Sequence, residues 1–129
     1  MNIISNLISL LIIFIICFSY KILPSIAIGD VDWILLKENK DGKEWLDLGS
    51  IKNLNKNEIS VLTKFYENPN NENKKGNTSL YVMRINCISN QFKDTSIDGI
   101  PTFNSKWQDS NNDELIEVVI EKACEEGGF

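Results

Sequence analysis

Apolar and polar residues alternate in short runs along most of the chain after position 30, and this two-residue period is typical of β-strands. Five runs predict strands, and a sixth predicts a short edge strand: 31–37, 43–48, 58–66, 79–87, 90–97 and 103–108. Asp41-Gly42 lies between the first two and supplies the backbone conformations of a tight hairpin turn, whereas Gly49-Ser50 predicts a break after the second. The pattern therefore predicts an antiparallel sheet.

The period changes to that of a helix after position 109. Residues 109–112 are all of types that cap helix N-termini, and Asp113 and Glu114 are expected in the first turn, where carboxylates offset the helix dipole. The apolar stripe of this helix comprises Leu115, Ile116, Val119, Ile120 and Ala123. Gly127-Gly128 predicts its end.

The strand pattern also predicts which side chains share a face. Residues 59, 61, 63 and 65 are expected on one side of the third strand, and Tyr81, Met83, Ile85 and Cys87 on one side of the fourth. Trp33 and Trp45 flank the first turn and are expected to share a face, where we interpret both as core residues. The polar segment 68–77 predicts a surface loop. We interpret it as a tolerated insertion, because it has no aromatic anchor for binding.

The N-terminal segment is strongly apolar. Met1 to Tyr20 carries no charged side chain, and small residues at 25 and 27 precede Ile28, as in a signal-peptide cleavage site. We therefore expect residues 1–27 to be a signal peptide that is cleaved between Ala27 and Ile28. An uncleaved membrane anchor is the alternative, because about 18 apolar residues can span a bilayer. Lipid attachment at Cys17 is a third outcome, although Ile16 is large for the position before a lipid-bearing cysteine.

Charge and composition exclude several functions. The chain has 129 residues and a formal charge of −5, and no local basic stripe offsets it, since Lys74-Lys75 is the densest basic pair. We therefore expect neither nucleic acid nor an anionic lipid surface as a partner, and any membrane contact only through the N-terminal segment. The sequence contains no histidine, which removes the commonest general base and zinc ligand. We expect no cofactor, no metal site and no catalytic residue.

Two cysteines, Cys87 and Cys124, lie after the predicted signal peptide. Both are expected on inward faces, so a disulfide and two buried thiols are competing interpretations. Export favours the disulfide, which would close a loop of roughly 37 residues and stabilise the fold by roughly 4 kcal/mol on the chain-entropy model. Neither cysteine lies in a Cys-x-x-Cys motif, so we interpret the bond as structural.

Several short motifs are distributed along the chain: Asp32-Trp33, the Asp41-Gly42 turn, Trp45-Leu46-Asp47 followed by Ser50-Ile51, Cys87 after a long strand, Trp107, and Glu121-Lys122-Ala123-Cys124. Together they resemble the bacterial surface-adhesin protein E family. The resemblance covers nearly all of residues 28–129. It implies an α+β fold with an antiparallel sheet of about six strands, crossed by one C-terminal helix that a disulfide ties to the sheet.

These observations favour a non-catalytic, extracytoplasmic binding module, located in the periplasm, in the cell envelope or secreted. Its partner would be a protein or an envelope component, and a homodimer through an edge strand is a further expectation. The alternative is an accessory subunit or inhibitor of an envelope complex that is held by an uncleaved anchor. A hydrolase is the least favoured. It would have to use carboxylates, and the candidate pairs are Glu44 with Asp47 and Asp94 with Asp98.

Overall fold

The computed structural model describes residues 30–70, 72 and 74–129. The predicted cleavage site at Ala27 and Ile28, the apolar N-terminal segment and Cys17 lie outside these residues. The described chain folds into seven strands and one helix: β1 (Trp33–Glu38), β2 (Gly42–Asn55), β3 (Glu58–Glu67), β4 (Asn77–Asn86), β5 (Gln91–Ile97), β6 (Ile100–Pro101), β7 (Gln108–Asp109) and α1 (Glu114–Glu126).

The strands form one antiparallel sheet in the order β1-β2-β3-β4-β5-β6, and β7 also pairs with β5. Strands β1 to β6 follow each other through hairpin connections, so neighbours in sequence are neighbours in space. The predicted α+β architecture is confirmed. The sheet is covered on one side by α1, which packs against β1, β2 and β3.

The predicted break at Gly49-Ser50 is wrong, because β2 continues through it to Asn55. Its register with β3 is irregular between Asp47 and Lys52, as at a β-bulge. Ser50 supports this irregularity: its hydroxyl donates to the Asp47 carbonyl at 2.6 Å and accepts from the Leu62 N–H at 2.7 Å. The Ser50 side chain therefore replaces backbone pairing between β2 and β3 at the position where the sequence pattern alone predicted the end of the strand.

The predicted edge strand over 103–108 is also wrong. Two strands of two residues, β6 and β7, pair with β5 instead. The Thr102 N–H donates to the Thr95 carbonyl at 3.0 Å, and the Thr102 hydroxyl donates to the Asp94 carbonyl, so the segment after β6 is held against β5.

The core lies between the sheet and α1. It is built from the inward positions of β2 to β5 together with the helix stripe: Leu46, Ile59, Val61, Met83, Ile85, Phe92, Val119, Ile120 and Ala123. The predicted faces of β3 and β4 are therefore confirmed. Asp113 is the N-cap residue of α1 and not a residue of its first turn, because its carboxylate accepts from the Leu115 N–H at 2.9 Å. Gly127-Gly128 follows the helix as predicted.

A disulfide ties the helix to the sheet, as predicted. Cys87 directly follows β4 and Cys124 lies in the last turn of α1, with 5.7 Å between their Cα atoms. The Cys87 N–H donates to the Asn57 carbonyl at 2.9 Å, so the strand end that carries the bond is itself fixed to the β2–β3 turn. The bond closes the C-terminal end of the helix against the sheet, while the N-terminal end borders a cavity.

Candidate functional site: the outer face and an acid-lined cavity

Among the described residues there is one sheet and one helix, so no second helix or sheet covers the side of the sheet opposite α1, and we call this side the outer face. Side chains alternate along each strand, so the partners of outward residues also point outward. Leu35, Trp45, Lys64 and Leu80 are direct cross-strand neighbours on β1 to β4 and form one row of this face. Trp33 belongs to the next row, opposite Asp47.

Lys64 lies between two tryptophans at the centre of this face. Its ammonium nitrogen is 4.6 Å from the ring centre of Trp33 and 4.6 Å from that of Trp45. A cation near an aromatic ring is attracted to the electron-rich face of the ring, with about 0.5–1 kcal/mol per exposed contact. The interpretation of both tryptophans as core residues is therefore wrong: they share a face as predicted, but that face is the outer one, where both are partly exposed.

A second cation and tryptophan meet further along the sheet. The ammonium nitrogen of Lys93 on β5 is 4.8 Å from the ring centre of Trp107. Lys93 is the cross-strand partner of Arg84, which is outward on β4. All three tryptophans of the chain thus contact lysines that project from the outer face.

Basic side chains gather on the outer face although the chain as a whole is acidic. By strand register they are Lys43, Lys52, Lys64, Arg84 and Lys93. Two of them are engaged by carboxylates: Lys43 Nζ lies 3.0 Å from Glu38 Oε1, and Arg84 pairs with Glu58. The others take no part in the ion pairs found within residues 30–70, 72 and 74–129.

Sequence reasoning missed this basic group, because its members are separated by 9 to 20 residues and meet only through strand register. The signal in the sequence was the alternation of side chains between the two faces of β3. Once residues 61, 63 and 65 are assigned to the core, Lys64 must point outward, between Leu62 and Tyr66.

The outer face also exposes apolar side chains. Leu35 is 52% exposed and Leu80 is 39% exposed. These two residues lie at opposite ends of the row that contains Trp45 and Lys64. Leu62 and Val82 are cross-strand partners in the adjacent row and are partly exposed. A continuous apolar and aromatic patch of this kind, with charged residues around it, is typical of an interaction surface.

The inner side of the sheet contains a cavity of about 990 Å³ next to the N-terminus of α1. Its walls come from five strands, β2, β3, β4, β5 and β7, from the turn before β2, and from the residues that precede and begin the helix. Apolar walls are provided by Phe65, Met83, Phe92, Leu115 and Ile116, and polar groups by Glu44, Thr63, Tyr81, Asp94 and Asp113 among others. Lys37 on β1 forms an ion pair with Glu114 at the N-terminus of α1, with 2.7 Å between Nζ and Oε2.

Glu44 is the most unusual group in this cavity. Only 3% of the residue is exposed. Burial raises the pKa of its carboxyl to about 8, because removal from water disfavours the charged form. The nearby polar side chain of Thr63 opposes this rise in pKa, while the charges of Asp113 and Asp94 add to it. Glu44 is therefore largely protonated at pH 7.

Two further cavity groups share this environment. Burial raises the pKa of the Asp94 carboxyl and of the Tyr81 phenol. The cavity thus gathers three acidic groups whose neutral, hydrogen-bond-donating forms are favoured by burial, and Glu44, with its pKa of about 8, is the one that can exchange a proton near neutral pH.

The structure separates both carboxylate pairs that the sequence suggested. Asp47 lies on the opposite side of β2 from Glu44, and its Oδ1 accepts from the backbone N–H groups of Asp32 at 2.8 Å and Gly49 at 3.1 Å. Asp98 does not line the cavity with Asp94; its carboxylate accepts from the Leu80 N–H at 2.7 Å. Glu44 and Asp94 line one cavity instead, from strands that are not adjacent.

No group of three or more Asp, Glu, Cys or His side chains within the described ranges could hold a metal ion. In the same part of the chain, no helix has both the length and the apolar character needed to cross a bilayer.

Comparison with known families gives one finding. A family model described as the surface adhesin-E family matches residues 34–128, which includes all the strands except the first residue of β1, and all of α1. Comparison with curated proteins gives no match, and comparison with solved structures gives none either.

Proposed function

Since this chain belongs to the surface adhesin-E family, we propose that it is an extracytoplasmic, non-catalytic binding module that docks another protein on the outer face of its sheet. The observation that carries this proposal is the row of Leu35, Trp45, Lys64 and Leu80, with Trp33 beside it. Tryptophan near the centre of an interface is typical of the residues that dominate binding energies.

The fold supports such a role because it makes the outer face rigid. The face is carried by four strands in antiparallel register, and the core and disulfide lie on the other side. The lysine between Trp33 and Trp45 limits the motion of both rings, so little side-chain entropy would be lost on binding. A preorganised surface of this kind needs no catalytic group and no cofactor.

Export of the domain is supported by two observations. Family membership implies a surface or extracytoplasmic location, and a disulfide between the end of β4 and α1 persists in oxidising compartments. We propose, more finely, that residues 1–27 direct export and that the domain from Ile28 onward operates in the periplasm, in the envelope or outside the cell. An accessory subunit held by an uncleaved anchor differs from this proposal only in the fate of that segment.

The proposal is tested by comparing variants of the two sides of the molecule in the native host. Leu35→Ser with Leu80→Ser alters the outer face at two exposed positions, and Glu117→Gln with Glu121→Gln alters the solvent side of α1 as a matched control. Tagged full-length chains are isolated from the envelope after reversible cross-linking, and urea unfolding verifies that each variant is folded.

We expect a specific protein to be recovered with the wild type and with the helix variant, and to be lost with the L35S/L80S variant. Equal recovery with the L35S/L80S variant would reject the outer face as the docking surface. Loss only with the helix variant would assign docking to α1 and would equally contradict the proposal.

The cavity supports a second candidate function, general acid catalysis by a carboxyl group. The favouring observation is the buried carboxyl of Glu44, with its pKa of about 8, beside Asp94 in a cavity large enough for a small organic molecule. Glu44→Gln keeps the shape of the side chain but cannot transfer a proton. Hydrolysis of chromogenic glycosides or esters by the wild type, abolished in E44Q, would support this candidate. Equal rates in the two proteins would reject it.

A further inference from the structure

Charge is distributed unequally between the two sides of the molecule. On the other side of the sheet, α1 carries five glutamates and a single lysine, Lys122, which is already engaged by Glu125 and Glu126 at 3.0 and 2.6 Å. The four acidic side chains that the described strands place on the outer face have partners within the chain. Glu38 and Glu58 pair with basic residues, Asp47 accepts from two backbone N–H groups, and Asp109 accepts from the side-chain amide of Gln91 at 3.2 Å. By strand register the outer face thus carries five basic and four acidic side chains, whereas α1 carries five acidic and one basic, so the outer face is the more positive side of the molecule.

Three lysines of this face, Lys52, Lys64 and Lys93, take no part in the ion pairs of the described chain. Two of them lie over tryptophan rings, which hold each ammonium group in place without neutralising its charge. Each of these two is thus a fixed positive group next to apolar surface.

From this juxtaposition we infer that the occupant of the outer face is an extended segment of another protein in which acidic side chains are interspersed with apolar ones. The carboxylates would reach Lys64 and Lys93, and the apolar side chains would cover Leu62, Leu80 and Val82 between them. This inference rests on the proposed function and adds the chemistry of the partner to it.

The net negative charge of the chain does not prevent such binding. The glutamates of α1 lie beyond the sheet, so at least the diameter of a helix, about 10 Å, separates those on its solvent side from the outer face. At physiological ionic strength the screening length is about 8 Å, so their repulsion is weak there, while lysines in direct contact act at full strength. Complementary charge across such a surface mainly provides specificity and faster association.

The chain supplies its own reporter for a test, because all three of its tryptophans contact lysines of the outer face. Tryptophan fluorescence of the exported protein is titrated with the peptide Glu-Ser-Leu-Ser-Glu-Ser-Leu-Ser-Glu, in which glutamates and leucines point to the same side of an extended chain. Two control peptides replace each glutamate with glutamine or with lysine.

We expect a saturable change in fluorescence with the glutamate peptide, and binding at least tenfold weaker with either control peptide. The double variant Lys64→Met, Lys93→Met keeps the apolar stems over the rings and should weaken binding of the glutamate peptide at least tenfold. Lys122→Met removes one positive charge from the helix side and should leave the affinity unchanged.

The outcomes separate this inference from the proposed function. Equal binding of the glutamate and glutamine peptides would overturn the acidic partner and leave the docking face in place. Preference for the lysine peptide, or no response to any peptide, would also overturn the acidic partner. The proposed function is tested separately, by the L35S/L80S experiment. Self-association that K64M/K93M abolishes would identify a second copy of this chain as the occupant and would overturn the inference as well.

Discussion

Glu44 and Asp94 line the same cavity although they come from β2 and β5, which β3 and β4 separate in the sheet. The cavity lies at the N-terminal end of α1, and the two carboxyl groups lie among aromatic and aliphatic walls. Burial raises the pKa of both groups, so each folded carboxyl keeps its proton to a higher pH than the unfolded chain does.

The first prediction follows from the pKa of Glu44, which is about 8 in the folded protein against 4.5 for an exposed glutamate. Between these values the folded chain holds a proton that the unfolded chain has lost, so rising pH favours unfolding. The free energy of unfolding should decrease from about pH 4.5 to about pH 8, with a slope of up to about 1.4 kcal/mol per pH unit from this group. Urea unfolding across this range measures the slope.

Glu44→Gln should remove most of this pH dependence and should be more stable than the wild type at about pH 8 and above. Asp94 contributes in the same direction, because burial raises its pKa as well. Glu121→Gln, at an exposed position on α1, is the matched control and should retain the wild-type slope. A wild-type slope in E44Q would show that Glu44 is ionised in the folded protein at neutral pH.

The second prediction concerns the disulfide. Cys87→Ser with Cys124→Ser opens a loop that spans 37 positions. This should lower the free energy of unfolding by roughly 4 kcal/mol, which is a large part of the stability of a small domain. Urea unfolding with and without a reductant measures the difference. Reductant should destabilise the wild type to a similar extent and should not affect the double variant. Equal stability of oxidised and reduced wild type would contradict a structural role for the bond.

The third prediction concerns Asp47, which the structure assigns to the support of the β2 irregularity. Its carboxylate accepts from two backbone N–H groups, and Asp47→Ala leaves both without that partner. The expected loss is about 1–3 kcal/mol of unfolding free energy. Asp47→Asn keeps one acceptor oxygen and should lose less. If the two variants are equally stable, the hydrogen bonds do not account for the burial of this residue.

The fourth prediction concerns the N-terminal segment. Cleavage between Ala27 and Ile28 predicts an intact mass that corresponds to residues 28–129 for the protein isolated from its native host. Full length would identify a retained anchor, and an added acyl mass on a chain that begins at Cys17 would identify a lipoprotein. Either of these results would replace the signal-peptide interpretation.

Local pattern was sufficient for the main strands and the helix, because each depends on residues a few positions apart. The alternation of Ile59, Val61 and Thr63 identifies an inward face whatever the strand pairs with. The failures occurred where a side chain overrides the pattern. Ser50 forms hydrogen bonds with both Asp47 and Leu62, so β2 continues past Gly49-Ser50. The interactions of Thr102 with β5 displace the edge strand from its predicted position.

The candidate sites depended on information that no single segment contains. The stack of Trp33, Lys64 and Trp45 requires the register of three strands, and Glu44 meets Asp94 only because the sheet order places β2 and β5 around one end of α1. Proximity in sequence suggested Glu44 with Asp47, but strand alternation puts residues three apart on opposite sides.

The central claim is that the outer face, and not the helix side, contacts another protein. It is tested most directly by placing a photo-activated cross-linking amino acid at Leu80 or at Glu121 in the full-length chain and irradiating cells of the native host. We predict a discrete adduct with one protein from position 80 and none from position 121. An adduct from position 121 alone, or none from position 80, would contradict the account.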